Sequence, residues 1–265
     1  MTGFLLRGFR LLGLAALIGG ASSARADFVT YEGTGNTGSG ASLHAVDVTA
    51  RFSVSGSDLT VTLSSKLATV DPVQALTGLV WDITGTAPTT STILSAVTGI
   101  NSALYSDATT HTSNADVSNA TLGGSKGWQY EAGVAAPLLT VASHHYQFGL
   151  GASGLGGVFG GLGNSDYGIV GPKSTIGSTP LDKQLPLVMS TDTGATPAAS
   201  SIVFVIHNFT VPASAISKVE FMFGSAGTDN LAGARAVPEP SSFALLGAGG
   251  IFGAAMLRRR RRASA

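Results

Sequence analysis

Val46-Asp47-Val48-Thr49-Ala50-Arg51-Phe52-Ser53-Val54-Ser55-Gly56-Ser57-Asp58-Leu59-Thr60-Val61-Thr62-Leu63 is the stretch that decides the fold. In an extended chain, successive side chains point to opposite faces. Val46, Val48, Ala50, Phe52 and Val54 then share one face, and Asp47, Thr49, Arg51 and Ser53 the other. Ser55 to Asp58 are turn-forming residues. Leu59, Val61 and Leu63 resume the alternation against Thr60, Thr62 and Ser64. Two period-two runs joined by a short turn predict an antiparallel hairpin with one face buried.

The same reading extends outward. Strands are predicted over 79–84, 93–97, 128–132, 143–150, 168–171, 187–190, 202–211 and 218–223. Ile202–Ile206 is apolar without interruption and reads as a central strand buried on both faces. Val219, Phe221 and Phe223 alternate with Lys218, Glu220 and Met222, which implies one-sided burial. No stretch of the body keeps a helical period. Many short strands with Gly, Ser and Thr at the bends predict an all-β domain, a single β-sandwich over residues 27–224. A jelly roll satisfies the same pattern. Residues 225–236 are small and polar and read as a flexible linker.

The termini carry targeting signals. Arg7 and Arg10 precede an apolar run from Leu11 to Ile18, and Ala24-Arg25-Ala26 is a small-x-small cleavage site. Residues 1–26 therefore read as a signal peptide cut by signal peptidase after Ala24 and Ala26 have been recognised, leaving Asp27 first. At the other end, Val237, Pro238, Glu239 and Pro240 lead into an uncharged apolar segment from Phe243 to Leu257. Arg258, Arg259, Arg260, Arg261 and Arg262 follow. Each proline fixes φ and lacks a backbone donor, so a helix cannot extend back through the motif. Fifteen helical residues span about 22 Å against a hydrocarbon core of about 30 Å, short for a lasting anchor. The arginines resist crossing and keep that end cytoplasmic. The expected topology is an exported body and a tail held transiently in the inner membrane.

The order of these three elements over 237–262 resembles the PEP-CTERM sorting signal of Gram-negative bacteria. That resemblance implies a membrane protease, the exosortase, that reads Pro238-Glu239-Pro240 and removes the tail. It also implies delivery to the cell surface or the exopolysaccharide matrix of a biofilm. Three further blocks, 50–63, 75–83 and 216–224, are similar in their order to a recurring group of exosortase-dependent surface proteins. That group implies a secreted β-rich domain and supplies no catalytic residues.

Charge and composition narrow the function. The whole chain has fifteen basic and fifteen acidic residues, but the segment between signal and tail keeps seven basic against fourteen acidic. An acidic surface argues against nucleic acid, which demands a basic footprint. There is no cysteine, so thiol catalysis and thiolate metal sites are excluded. A body of this size buries a core without disulfides.

Several motifs invite chemistry and fall short of it. Asp192-Thr193-Gly194 spells the aspartic-protease triplet, yet that mechanism needs a second carboxylate and the triplet occurs once. Gly149-Leu150-Gly151-Ala152-Ser153-Gly154 spells a dinucleotide fingerprint, but the glycine-dense run behind it is a poor helix. His144 and His145 point to opposite faces of a strand and cannot share one metal. His207 reads as a partnered structural residue at the end of a core strand. Asp107 and Asp116, with Asn114 and Asn119, form an oxygen-rich loop as a weak calcium candidate, without the EF-hand spacing. Otherwise no cofactor is implied. Trp81, Trp128, Tyr130, Tyr146 and Tyr167 are either core aromatics or a sugar-stacking platform.

The expectation is a non-catalytic surface or matrix protein, adhesive or exopolysaccharide-associated. The alternative is a secreted carbohydrate-active hydrolase on a β-sandwich, which requires paired catalytic groups in a cleft.

Overall fold

The computed structural model describes residues 27–37, 43–69, 74–86, 94–100, 102–105, 111–112, 128–132, 139–141, 144–152, 168–174, 187–190, 192, 194–196, 198–224 and 231–237. Within them the chain is all-β. In order the strands are β1 (Phe28–Thr37), β2 (His44–Ser55), β3 (Asp58–Ser65), β4 (Leu76–Ile83), β5 (Leu94–Ile100), β6 (Ser102–Tyr105), β7 (His111–Thr112), β8 (Trp128–Ala132) and β9 (Leu139–Val141). Then follow β10 (His144–Tyr146), β11 (Phe148–Ala152), β12 (Gly168–Ile169), β13 (Leu187–Ser190), β14 (Ser200–Ile206), β15 (Ile216–Phe223), β16 (Leu231–Gly233) and β17 (Arg235–Val237). One 3-10 turn, Ala213–Ala215, leads into β15.

The β2–β3 hairpin forms as its alternation dictates. Ser55 faces Asp58, so Gly56 and Ser57 make the turn. Gly56 adopts φ +63°, the left-handed conformation that glycine enters freely and two-residue hairpin turns require. Val46, Val48, Ala50 and Phe52 are buried on one face of β2, and Leu59, Val61 and Leu63 are fully buried on β3.

This hairpin is the centre of a first sheet, ordered β17-β1-β2-β3-β14-β5. A second sheet runs β16-β15-β4-β12-β13-β6-β7, with β11 joining β4 to β8. β9 and β10 pair separately. Residues of both large sheets enter one hydrophobic cluster. Phe52 of the first sheet meets Trp81 of the second edge-on at 5.4 Å between ring centroids, and Trp128 meets Phe204 at 5.0 Å. Burying several such rings dominates the apolar stabilisation of a core.

Besides Met222, which is fully buried although expected on the open face of β15, four features depart from the sequence reading. β14 is central in its sheet, between β3 and β5, yet it is fully buried on one face only. Ile202, Phe204 and Ile206 point inward and Val203 and Val205 are half-buried. The strand buried on both faces is β4, where every residue from Leu76 to Ile83 is buried. The strand predicted over 143–150 is interrupted at Gln147, which separates β10 from β11. β1 escaped the pattern because Gly33 and Gly35 dilute its alternation. Gly33 is there for packing: a Cβ would lie 2.5 Å from Cδ2 of buried Phe221.

The fourth concerns the linker expected over 225–236. Leu231–Gly233 pairs with β15 in the second sheet, and Arg235–Val237 pairs with β1 in the first. Between them the Ala234 N–H donates to the Val219 carbonyl at 3.1 Å. Residues 231–237 are thus a strap across neighbouring edges of both sheets, formed because each edge offers unpaired backbone groups that the extended chain can satisfy. Residues 225–230 lie outside the described set. So do residues 1–26, expected from sequence to be a signal peptide, with Ala24 and Ala26, and the tail from Pro238 through Arg258–Arg262. Among the described residues no helix is long and apolar enough to cross a membrane.

Candidate functional site

Among the described residues, a cluster of ionisable side chains gathers around Asp82. This residue sits near the end of β4, the one charge in a wholly buried strand. A buried carboxylate is tolerated only when it is paired and hydrogen-bonded. Asp82 meets that demand with three donors from two other segments. Its Oδ2 lies 2.9 Å from Nε2 of His144 and 3.1 Å from Nζ of Lys218. Its Oδ1 accepts the Gln147 backbone N–H at 3.1 Å, and Gln147 Oε1 in turn accepts the Ile83 N–H at 2.8 Å. The interruption at Gln147 therefore adds a link from the β10–β11 junction to the end of β4, beside the ladder that β11 itself makes with β4.

Lys218 reaches Asp82 through an irregular backbone. The pairing of β15 with β4 shifts register between Ser217 and Glu220, and Lys218 has φ +44°. Such a bulge redirects one side chain from the alternation. Beside it, His144 packs edge-on against Tyr146, ring centroids 4.5 Å apart. Burial pushes the Tyr146 hydroxyl well above the usual phenol range, and a hydrogen bond to Glu220 and the nearby charges of Glu220 and Asp82 add to it. Glu220 Oε2 is buried and takes no hydrogen bond among the described residues.

A histidine–carboxylate pair can orient a general base, but it acts only on a nucleophile within reach. The His144 contacts among the described residues are Asp82 and the Tyr146 ring. Lys218 competes for the same carboxylate oxygen. The cluster joins three segments, and among the described residues no hydroxyl is hydrogen-bonded to His144.

The other sequence candidates fall into structural places. His207, just past β14, has Nδ1 2.7 Å from Oδ1 of Asp58, and the next residue but one, Phe209, donates its N–H to Ser57 O at 2.8 Å. Both contacts fasten the β2–β3 turn to the end of β14. Asp192 accepts the Gly194 and Ala198 backbone N–H groups at 2.9 and 2.8 Å, and those bonds hold its carboxyl below the ordinary range. It is a loop-closing aspartate. Gly149 and Gly151 lie within β11, flanked by β4 and β8, so the apparent fingerprint is strand interior. Trp81 and Trp128 are fully buried and Tyr146 nearly so. These three cannot form a sugar platform, because stacking requires an accessible ring face. Tyr167, Asp107 and Asp116 lie outside the described residues. Among the described residues no group of three His, Asp or Glu is placed to hold a metal. Asp82 and Lys218 were not singled out from sequence. The available signal was a lone charge ending the apolar run Leu79-Val80-Trp81, which demands a partner.

The other functional element is the segment that ends at Val237. β17 faces β1 in antiparallel register, Thr30 to Val237, Tyr31 to Ala236 and Glu32 to Arg235. Pro238 follows directly in sequence. Among the described residues the chain is thus all-β, and its last described strand leads directly in sequence into a C-terminal targeting segment. That segment is a PEP-CTERM protein-sorting motif, matched over residues 236–262. The motif implies exosortase processing, export and cell-surface targeting. No curated protein and no solved structure matches the chain.

Proposed function

We propose that this is an exported, non-catalytic surface or biofilm-matrix protein whose tail is removed by exosortase. In this reading residues 1–26 are a signal peptide, the two large sheets face one another as a β-sandwich, and residues 243–257 enter the inner membrane transiently. Arg258–Arg262 stay on its cytoplasmic side. The observation that carries it is the sorting motif at 236–262. The acidic body supports a soluble life outside the cell. Adhesion or exopolysaccharide association then falls to exposed polar side chains, because the two tryptophans are spent on the core. Intact-mass measurement of the surface fraction tests the reading. The expected species begins at Asp27 and lacks the arginine run; one still ending at Ala265 refutes tail removal.

The Asp82–His144 pair favours a second reading, a secreted carbohydrate-active hydrolase. Asp82→Asn separates the two. Surface delivery and matrix association persist in the first, whereas hydrolysis of a polysaccharide panel by the parent protein, lost in the variant, establishes the second.

A further inference from the structure

The sorting motif and the folded body overlap. The matched segment starts at Ala236, and Ala236 and Val237 are paired to Tyr31 and Thr30 of β1. A linker of free chain does not separate the sheet from Pro238. Five residues, 238–242, intervene between Val237 and the apolar segment at Phe243. At full extension they bridge at most about 20 Å. With β17 in place, the edge of the first sheet must therefore lie within that distance of the membrane, and the first two residues of the motif, Ala236 and Val237, are held in the sheet.

A protease reads an extended segment through its backbone groups and must also close around the bond it cuts, which a strand still bonded into a sheet prevents on one side. β17 offers one backbone edge only, since the other is bonded to β1. We propose that β17 is a lock on sorting: while it pairs with β1 the motif is withheld from the membrane protease, and processing proceeds when β17 leaves the sheet. The proposal rests on the processing reading above. It is supported by how lightly the strand is held. The ladder is three residues long, Arg235 and Ala236 are exposed, and Val237 is only half-buried. An edge strand with so little apolar burial opens locally without unfolding the rest. Release of the strap from Leu231 onward adds seven residues, about 24 Å of reach at full extension, enough for the body to stand clear of the enzyme.

The chain contains no cysteine, so an introduced pair reports on this contact alone. Glu32 and Arg235 face each other across the ladder and Arg235 lies outside the matched motif. Directly opposed antiparallel positions have the Cα separation that a disulfide needs. Full-length E32C/R235C is expressed with a cognate exosortase in membranes, and tail loss is followed by intact mass in oxidised and reduced states. The expected result is cleavage at least tenfold slower when oxidised, restored by reductant. Equal rates in the two states overturn the lock. The pair T30C/V237C, with the same expectation, covers the case in which the first variant fails to fold, and thermal melting of each reduced form checks folding. If the unsubstituted chain is not cleaved at all, the processing reading fails and the lock with it, an outcome distinct from equal rates.

Discussion

The Tyr31 hydroxyl donates to the Ile216 carbonyl oxygen at 2.5 Å, from β1 in the first sheet to β15 in the second. The ring of the same tyrosine meets Phe52 edge-on at 5.9 Å. A hydrogen bond between buried partners fixes how two sheets sit relative to each other, which apolar contact alone leaves free to slide. Tyr31→Phe keeps the ring and strands the carbonyl. The expected cost is about 1–2 kcal/mol, or a melting temperature lower by roughly 2–8 °C. Thermal unfolding followed by circular dichroism checks it; an unchanged midpoint shows that the bond does not set the packing.

Alkaline pH should attack the same contact. Burial raises the Tyr31 hydroxyl above its usual range, and burial together with Glu220 and Asp82 raises Tyr146. An acid whose folded-state pKa is raised favours the folded chain while it stays protonated. Its contribution is complete below the unfolded-state value of about 10 and is lost as pH climbs through the folded value. Stability is therefore flat through neutrality with respect to these groups and falls above about pH 10. Tyr31→Phe and Tyr146→Phe together should flatten the alkaline fall in denaturant midpoints measured from pH 8 to 11.5.

Gly171 sits at a very close backbone approach. A Cβ there would sit 1.6 Å from the Leu67 carbonyl oxygen. Around it Gly171 N–H donates to Thr69 Oγ1, Ser174 Oγ–H donates to Gly171 O, and Thr69 N–H donates to Ser174 Oγ. Backbone cannot swing aside as a side chain does, so Gly171→Ala should destabilise by about 3 kcal/mol or more. Gly33→Ala, which meets the Phe221 ring, should cost less. Gly233→Ala, with nothing within 4 Å, should be close to neutral. Urea unfolding midpoints rank the three.

Where one face of a strand is buried, the sequence announces it. β2, β3 and β8 carry their limits or their faces in plain alternation, and β13 its limits in a short apolar run. The hairpin turn follows from Gly56. The reading failed where burial is decided by neighbours in space. β4 and β14 each have a strand on both edges, yet β4 is buried on both faces and β14, equally apolar in sequence, has one face half-open. β16 and β17 are short and small-residued; the edges of β15 and β1 impose extension on them. The Asp82 cluster was invisible for the same reason. His144 and Lys218 lie 62 and more than 130 positions away, and Lys218 reaches Asp82 only through a bulge.

Lys218 gives the final prediction, since two effects of similar size oppose each other there. Its φ of +44° places a side-chain-bearing residue in the left-handed region, which costs about 1 kcal/mol relative to glycine. Its ion pair with Asp82 has a lysine side chain that is 61 % exposed, so it contributes at most about 1 kcal/mol. Asp82 keeps His144 and the Gln147 amide when Lys218 is lost. Lys218→Ala removes the pair and keeps the backbone cost, so it should lower stability by up to about 1 kcal/mol. Lys218→Gly removes both and should stay within about 0.5 kcal/mol of the parent, above the alanine variant by about 1 kcal/mol. Asp82→Asn combined with Lys218→Ala should fall short of the sum of the single effects, because the two side chains share one contact. Equal stability of the glycine and alanine variants in denaturant unfolding would show that the bulge carries no backbone cost. Strict additivity in the double variant would show that the ion pair contributes nothing.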